Sequence, residues 1–128
     1  MVVQALLGYA PAGKALAFED QYISTGGQLY ELLMGHDRWL ADVRPLLLPP
    51  TERHGSTPML CCHPYDMCTE LIAREAGMVV CKANGQALDA PLDVHSPVSW
   101  VAVANPVLAH QLIPALQQAL VYHDMQFS

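Results

Sequence analysis

The chain has 128 residues, of which 52% are hydrophobic and 14% charged, and its formal net charge is −6. That is enough chain for one domain, residues 1–128, with a core of its own. Six Lys and Arg against twelve Asp and Glu argue against nucleic acid as a partner, because phosphate backbones are held by basic side chains, and no run approaches the ~20 apolar residues of a membrane helix.

Residues 1–24 are weakly patterned, with Pro11 and Gly13 breaking a helix-prone start. From Thr25 the apolar residues Leu29, Leu32 and Leu33 recur at helical spacing, which predicts a helix from Thr25-Gly26-Gly27 to about Gly35. Residues 39–46 alternate loosely and predict a short strand. Residues 49–58, polar and bracketed by prolines, predict a loop. A second helix is expected from Pro64, with Tyr65, Cys68, Ile72 and Ala76 on its packed face and Gly77 as its stop. Residues 78–82 then read as a buried strand, and Asn84-Gly85 as a turn. After a proline-broken connector, residues 98–104 alternate, placing Val98, Trp100, Ala102 and Ala104 on one face. Asn105-Pro106 reads as an N-cap and first position of a last helix, with a stripe of Leu108, Leu112, Leu116 and Leu120 and a kink expected at Pro114. The predicted class is mixed αβ layers.

The charged share lies well below the roughly 25% of soluble domains, although a small domain has the most surface to cover. The deficit points to apolar surface covered by something else, either a partner subunit, such as a second copy in a homodimer, or a missing part of the same fold. The apolar start Met1-Val2-Val3-Gln4-Ala5-Leu6-Leu7 has no basic region before it, so no secretory signal is expected. Cys61, Cys62, Cys68 and Cys81 lack the density and spacing of a disulfide framework. Reduced cysteines in a cytoplasmic protein are the simpler expectation.

Asp66 stands in the first turn of the second helix. It can either favour that helix end, as acidic residues do, or act as a ligand for a hard cation such as Mg²⁺ beside phosphate-binding N–H groups. Spacing alone favours the first. Glu70 precedes Arg74 by four residues, the favourable order for a surface ion pair. Cys61, Cys62, His63 and Cys68 crowd together but lack the second knuckle of a zinc site. His36, His54, His95, His110 and His123 are isolated, and Thr25-Gly26-Gly27 is a weak candidate for approach to a phosphate.

From His63-Pro64-Tyr65-Asp66 through Glu75-Ala76-Gly77-Met78-Val79-Val80 the chain resembles the inositol monophosphatase family of Mg²⁺-dependent, lithium-sensitive phosphatases. The family reads tryptophan-aspartate, small and aliphatic residues, then glutamate-alanine-glycine and a valine-rich strand; Tyr65 stands in place of the tryptophan. Thr25-Gly26-Gly27-Gln28-Leu29 lies where the family has glycine-serine-alanine-alanine, and Ala41-Asp42-Val43 where a strand follows. Asn84-Gly85-Gln86-Ala87-Leu88 resembles its aspartate-glycine turn, and Ala104-Asn105-Pro106 the opening of its last helix. The resemblance spans about residues 20–121. It implies the C-terminal half of an αβαβα sandwich, with Asp66 as a metal ligand, Thr25 and Gly26 as candidate substrate contacts, and Mg²⁺ as cofactor. The implied substrate is a small polyol, sugar or nucleotide phosphate.

The family's first metal glutamate and its aspartate-proline-isoleucine/leucine-aspartate-glycine-threonine motif belong to an N-terminal half, and that motif occurs nowhere here. A substrate-contacting glutamate seven residues before the motif aspartate would fall on Met59. The expectation is therefore a fragment that is inactive alone. The alternatives are a non-catalytic interaction module that pairs with another chain, and a metal- or redox-responsive protein built on the Cys/His cluster.

Overall fold

The sequence Thr25-Gly26-Gly27 does open a helix. In the computed structural model, which describes residues 8–14, 24–47 and 60–122, helix α1 spans Thr25–Leu33. The Gly27 N–H donates to Ser24 Oγ at 3.2 Å, so Ser24 is the N-cap that satisfies one of the free donors of the first turn. At the other end Gly35 takes φ +76°. Its N–H reaches the Leu32 carbonyl, and that of His36 reaches Glu31, a left-handed glycine stop. Leu29 and Leu32 are buried, as their spacing requires.

Strand β1 runs only over Trp39–Asp42, shorter than expected. Asp42 Oδ1 accepts the Arg44 N–H at 3.1 Å, a local bond that turns the chain out of the sheet. Pro45 has no N–H for a ladder, and Arg44–Leu47 form a 3₁₀ turn. The predicted proline loop, with His54 and Met59, lies outside the described residues, as does His123.

The helix expected from Pro64 to Ala76 is two pieces, a 3₁₀ turn Pro64–Met67 and a helix α2, Glu70–Glu75. A 3₁₀ turn takes about 3.0 residues rather than 3.6, so the apolar repeat loses phase across the break. The expected packed face is thereby corrected. Tyr65 and Ile72 are 59% and 58% exposed, and Cys68 and Ala76 are exposed too; Ala73 is the residue of α2 that is fully buried. Glu70 and Arg74 do form the expected ion pair on the surface. Gly77, at φ +91°, stops the helix, its N–H on the Arg74 carbonyl and that of Met78 on Ala73.

Strand β2, Val79–Cys81, leads into the Asn84-Gly85 turn, where the Gly85 N–H meets the Lys82 carbonyl at 2.8 Å. Strand β3, Trp100–Val103, is buried throughout. Helix α3, Pro106–Tyr122, starts where Asn105 Oδ1 accepts the Leu108 N–H at 2.9 Å. Pro114 lies inside it, and Leu112, Leu116 and Leu120 are buried.

The sheet is antiparallel in the order β1-β3-β2, with Leu40 opposite Ala102 and Val80 opposite the same residue on the other side. Alternation along β3 divides the core. Val101 and Val103 pack with Leu112, Leu116 and Leu120 of α3. Trp100 and Ala102 pack with Leu29, Leu32, Cys62 and Ala73 beneath α1 and α2. The described residues thus form a mixed α/β fold, three helices around a small three-stranded antiparallel sheet. No helix among them is long and apolar enough to cross a membrane.

Candidate functional site around Asp66

Asp66 sits at the third position of the 3₁₀ turn, with Pro64 at its start and His63 before it. Its Oδ2 accepts the His63 backbone N–H at 3.0 Å, the carboxylate arm of a capping box. The His63 ring is nearly buried, with Nδ1 3.8 Å from the same oxygen. It stacks on Tyr65 with ring centroids 5.5 Å apart. Asp66 therefore has the helix-end role that its spacing suggested, and its side chain retains partial exposure.

The start of α1 lies directly against this turn. Thr69 Oγ1 donates to the Gly26 carbonyl at 3.0 Å across 43 residues of sequence. A Cβ on Gly26 would stand 2.8 Å from Cys68 Sγ and 3.5 Å from the Asp66 carbonyl oxygen, so absence of a side chain permits this approach. Thr25 is buried beside Cys62. The structure thus brings Thr25 and Gly26 to the backbone of the Asp66 turn, while the Asp66 carboxylate itself is turned to His63.

Asp42, at the end of β1, is the residue that sequence reasoning missed. It is 6% exposed, yet fully engaged. Oδ1 accepts from Arg44 Nε at 2.9 Å, and Oδ2 from Arg44 Nη2 at 2.6 Å and from the Cys62 N–H at 3.1 Å. A two-pronged guanidinium compensates the buried charge, and its hydrogen bonds to the Asp42 carboxylate hold the Arg44 proton more tightly, against the opposing effect of burial. The Cys62 bond fixes the segment that enters the Asp66 turn. An acid at the end of an alternating strand, two residues before an arginine, was the available signal.

The cysteines do not gather around a common point. Cys62 is buried, its Sγ 3.4 Å from Met67 Sδ, and burial pushes its thiol up to about 12. Burial also raises Cys61 and Cys81, whereas Cys68 is exposed. The groove beside α2, about 370 Å³, is lined by Pro64, Met67, Glu70, Arg74, Leu88 and Val98 among others. It shares the turn with Asp66 but is not lined by Asp66, Thr25 or Gly26.

Among the described residues no group of three or more His, Cys, Asp or Glu is placed to hold a metal ion. Mg²⁺ requires several oxygen ligands in octahedral geometry, so the donors among the described residues do not by themselves fit one. The chain matches no protein-family model, no curated protein and no solved structure.

Proposed function

We propose that the chain is the C-terminal half of an inositol monophosphatase-like hydrolase, acting on the phosphate monoester of a small polyol, sugar or nucleotide. In this reading the sandwich is completed by an N-terminal half that carries the remaining carboxylates. Asp66 contributes one ligand to the Mg²⁺ site so formed, and Thr25 and Gly26 lie beside the substrate phosphate. The carrying observation is the bond from Thr69 to Gly26. It joins the two segments whose motifs resemble the family, although they are far apart in sequence. No catalytic step is assigned to this chain alone.

The test has two parts. The isolated chain releases no phosphate from small monoesters when Mg²⁺ is added. Joined to an N-terminal half bearing the acidic motifs, it supports hydrolysis, and Asp66→Asn lowers turnover at least about a hundredfold by weakening the metal site. Near-normal turnover of that variant removes the assigned role. One observation favours the alternative, a non-catalytic module pairing with another chain. Tyr65, Leu71 and Ile72, all in the segment of the Asp66 turn and α2, are more than half exposed, an apolar surface of the kind that partners cover. Hydrolysis by the joined protein argues against that alternative.

A further inference from the structure

The chain contains two asparagines, Asn84 and Asn105. An asparagine can modify itself when the backbone nitrogen of the next residue attacks its side-chain carbonyl carbon. Asn105 is followed by Pro106, which has no N–H to lose, so that route is closed there. Asn84 is followed by Gly85, whose missing side chain leaves the attacking nitrogen unhindered. The sequence therefore confines this chemistry to one peptide bond, in the turn after β2.

The fold occupies both reacting groups. The Gly85 N–H donates to the Lys82 carbonyl at 2.8 Å. Asn84 Oδ1 accepts the Gln86 N–H at 3.0 Å, and Asn84 Nδ2 donates to Gln86 Oε1 at 3.3 Å. The turn is also pinned from two sides. The Lys82 N–H meets the Gln86 carbonyl at 2.9 Å, and Cys81 bridges to Ala87. Across from these, a Cβ built on Gly85 would stand 2.9 Å from Gln117 Nε2 and 3.3 Å from Ile113 Cγ2. The turn therefore lies directly against α3, with Gly85 at φ +79°.

We propose that Asn84 is a self-modification site gated by the fold, protected while the turn is closed against α3 and converted to aspartate and isoaspartate once it opens. In the opened chain the Gly85 nitrogen gives its proton to solvent base and bonds to Asn84 Cγ. The Cγ–Nδ2 bond breaks, and the amide leaves as ammonia after taking up a proton, which closes a cyclic imide. Water then adds to either imide carbonyl, and ring opening yields aspartate or isoaspartate. The isoaspartate form routes the main chain through the side-chain carbon and lengthens it by a methylene. A turn closed by the Gly85–Lys82 bond and seated on α3 has no room for that insertion. The conversion is therefore one-way and marks molecules that have opened at this place. Aspartate keeps the ordinary backbone and the acceptor for the Gln86 N–H. This site goes beyond the phosphatase reading and is independent of it, since none of its residues belongs to the Asp66 turn.

The test holds the intact chain at mildly alkaline pH, with and without urea, and follows residues 84 and 105 by peptide mass and isoaspartate content. Conversion at residue 84 should be at least about tenfold slower in the folded chain, because attack waits for the hydrogen-bonded turn to open. Residue 105 should stay unchanged in both. Hydrogen exchange at the Gly85 amide of the folded chain should show protection of at least the same size. Equal rates with and without urea overturn the proposal, and so does an unmodified residue 84 in urea. The one-way step has its own readout. Chains carrying isoaspartate, returned to folding conditions, should not regain protection at Gly85, whereas Asn84→Asp should show it. Isoaspartate chains that regain it overturn that step.

Discussion

The buried carboxylate of Asp42 accepts the backbone N–H of Cys62 at 3.1 Å, 20 residues further along the chain. This bond ties the last residue of β1 to the segment that enters the Asp66 turn. The sheet therefore positions the candidate site through one side chain, and Arg44 neutralises the charge that does so.

Asp42→Ala leaves the Cys62 N–H unpaired in the core and frees Arg44. Removing one member of a buried hydrogen-bonded set costs about 2–4 kcal/mol, toward the lower end where the cation is partly exposed. Arg44 is 45% exposed, so about 2 kcal/mol is expected by urea denaturation. Arg44→Ala should cost at least as much, because it strands the acid. A loss under about half a kcal/mol in both variants contradicts the tether.

Thr69→Val keeps the shape of the side chain and deletes the bond to Gly26. The expected loss is about 1 kcal/mol. Gly26→Ala should be mild, since the Sγ that it meets belongs to an exposed cysteine able to rotate. Gly26→Val should be worse, because its branches reach toward the Asp66 carbonyl as well. Equal tolerance of all three contradicts close contact between the two segments.

Much of the local structure was legible because its causes are local. Asn105-Pro106 caps and starts α3, Gly77 stops α2, Asn84-Gly85 turns, and Glu70 meets Arg74. The β3 alternation sorted Val98, Trp100 and Ala102 onto one side of the core. The failures lie where side-chain bonds or contacts override simple periodicity. Periodicity alone cannot show that the helix from Pro64 is interrupted after Met67, so the packed face was assigned to residues that remain exposed. The early end of β1 follows from the bonds between Asp42 and Arg44. For the site, Thr25, Gly26 and Asp66 could be picked out singly, but no spacing rule joins residues 43 positions apart.

The thiols should differ sharply in reactivity. The thiolate is the nucleophile, and burial keeps Cys62 protonated up to about 12 while also raising Cys61 and Cys81. At mildly alkaline pH an alkylating reagent should modify exposed Cys68 first, with the other three reacting only on unfolding. Mass spectrometry of the labelled peptides reads this directly. Labelling of Cys62 as fast as Cys68 contradicts the described packing.

The connector before β3 should respond to acid. Asp93 is lowered to about 2 by the Ser96 hydroxyl, and further by the Ser96 and His95 N–H groups. Because the folded value lies below the unfolded one, about 3.9, these bonds favour the folded state above that pH. Their contribution fades as pH falls from there through about 2. The Asp93 carboxyl resonance should titrate with a midpoint near 2, and Ser96→Ala should raise it. A midpoint at the ordinary value would show that the bonds do not form in solution.

In the proposed reading, Asp66 is one wall of a site rather than a whole one. The DNA upstream of the Met1 codon tests that most directly. It should continue in frame into the aspartate-proline-isoleucine/leucine-aspartate-glycine-threonine motif, preceded by a metal-binding glutamate. An in-frame stop codon there, followed by a ribosome-binding site for this chain, would contradict the account.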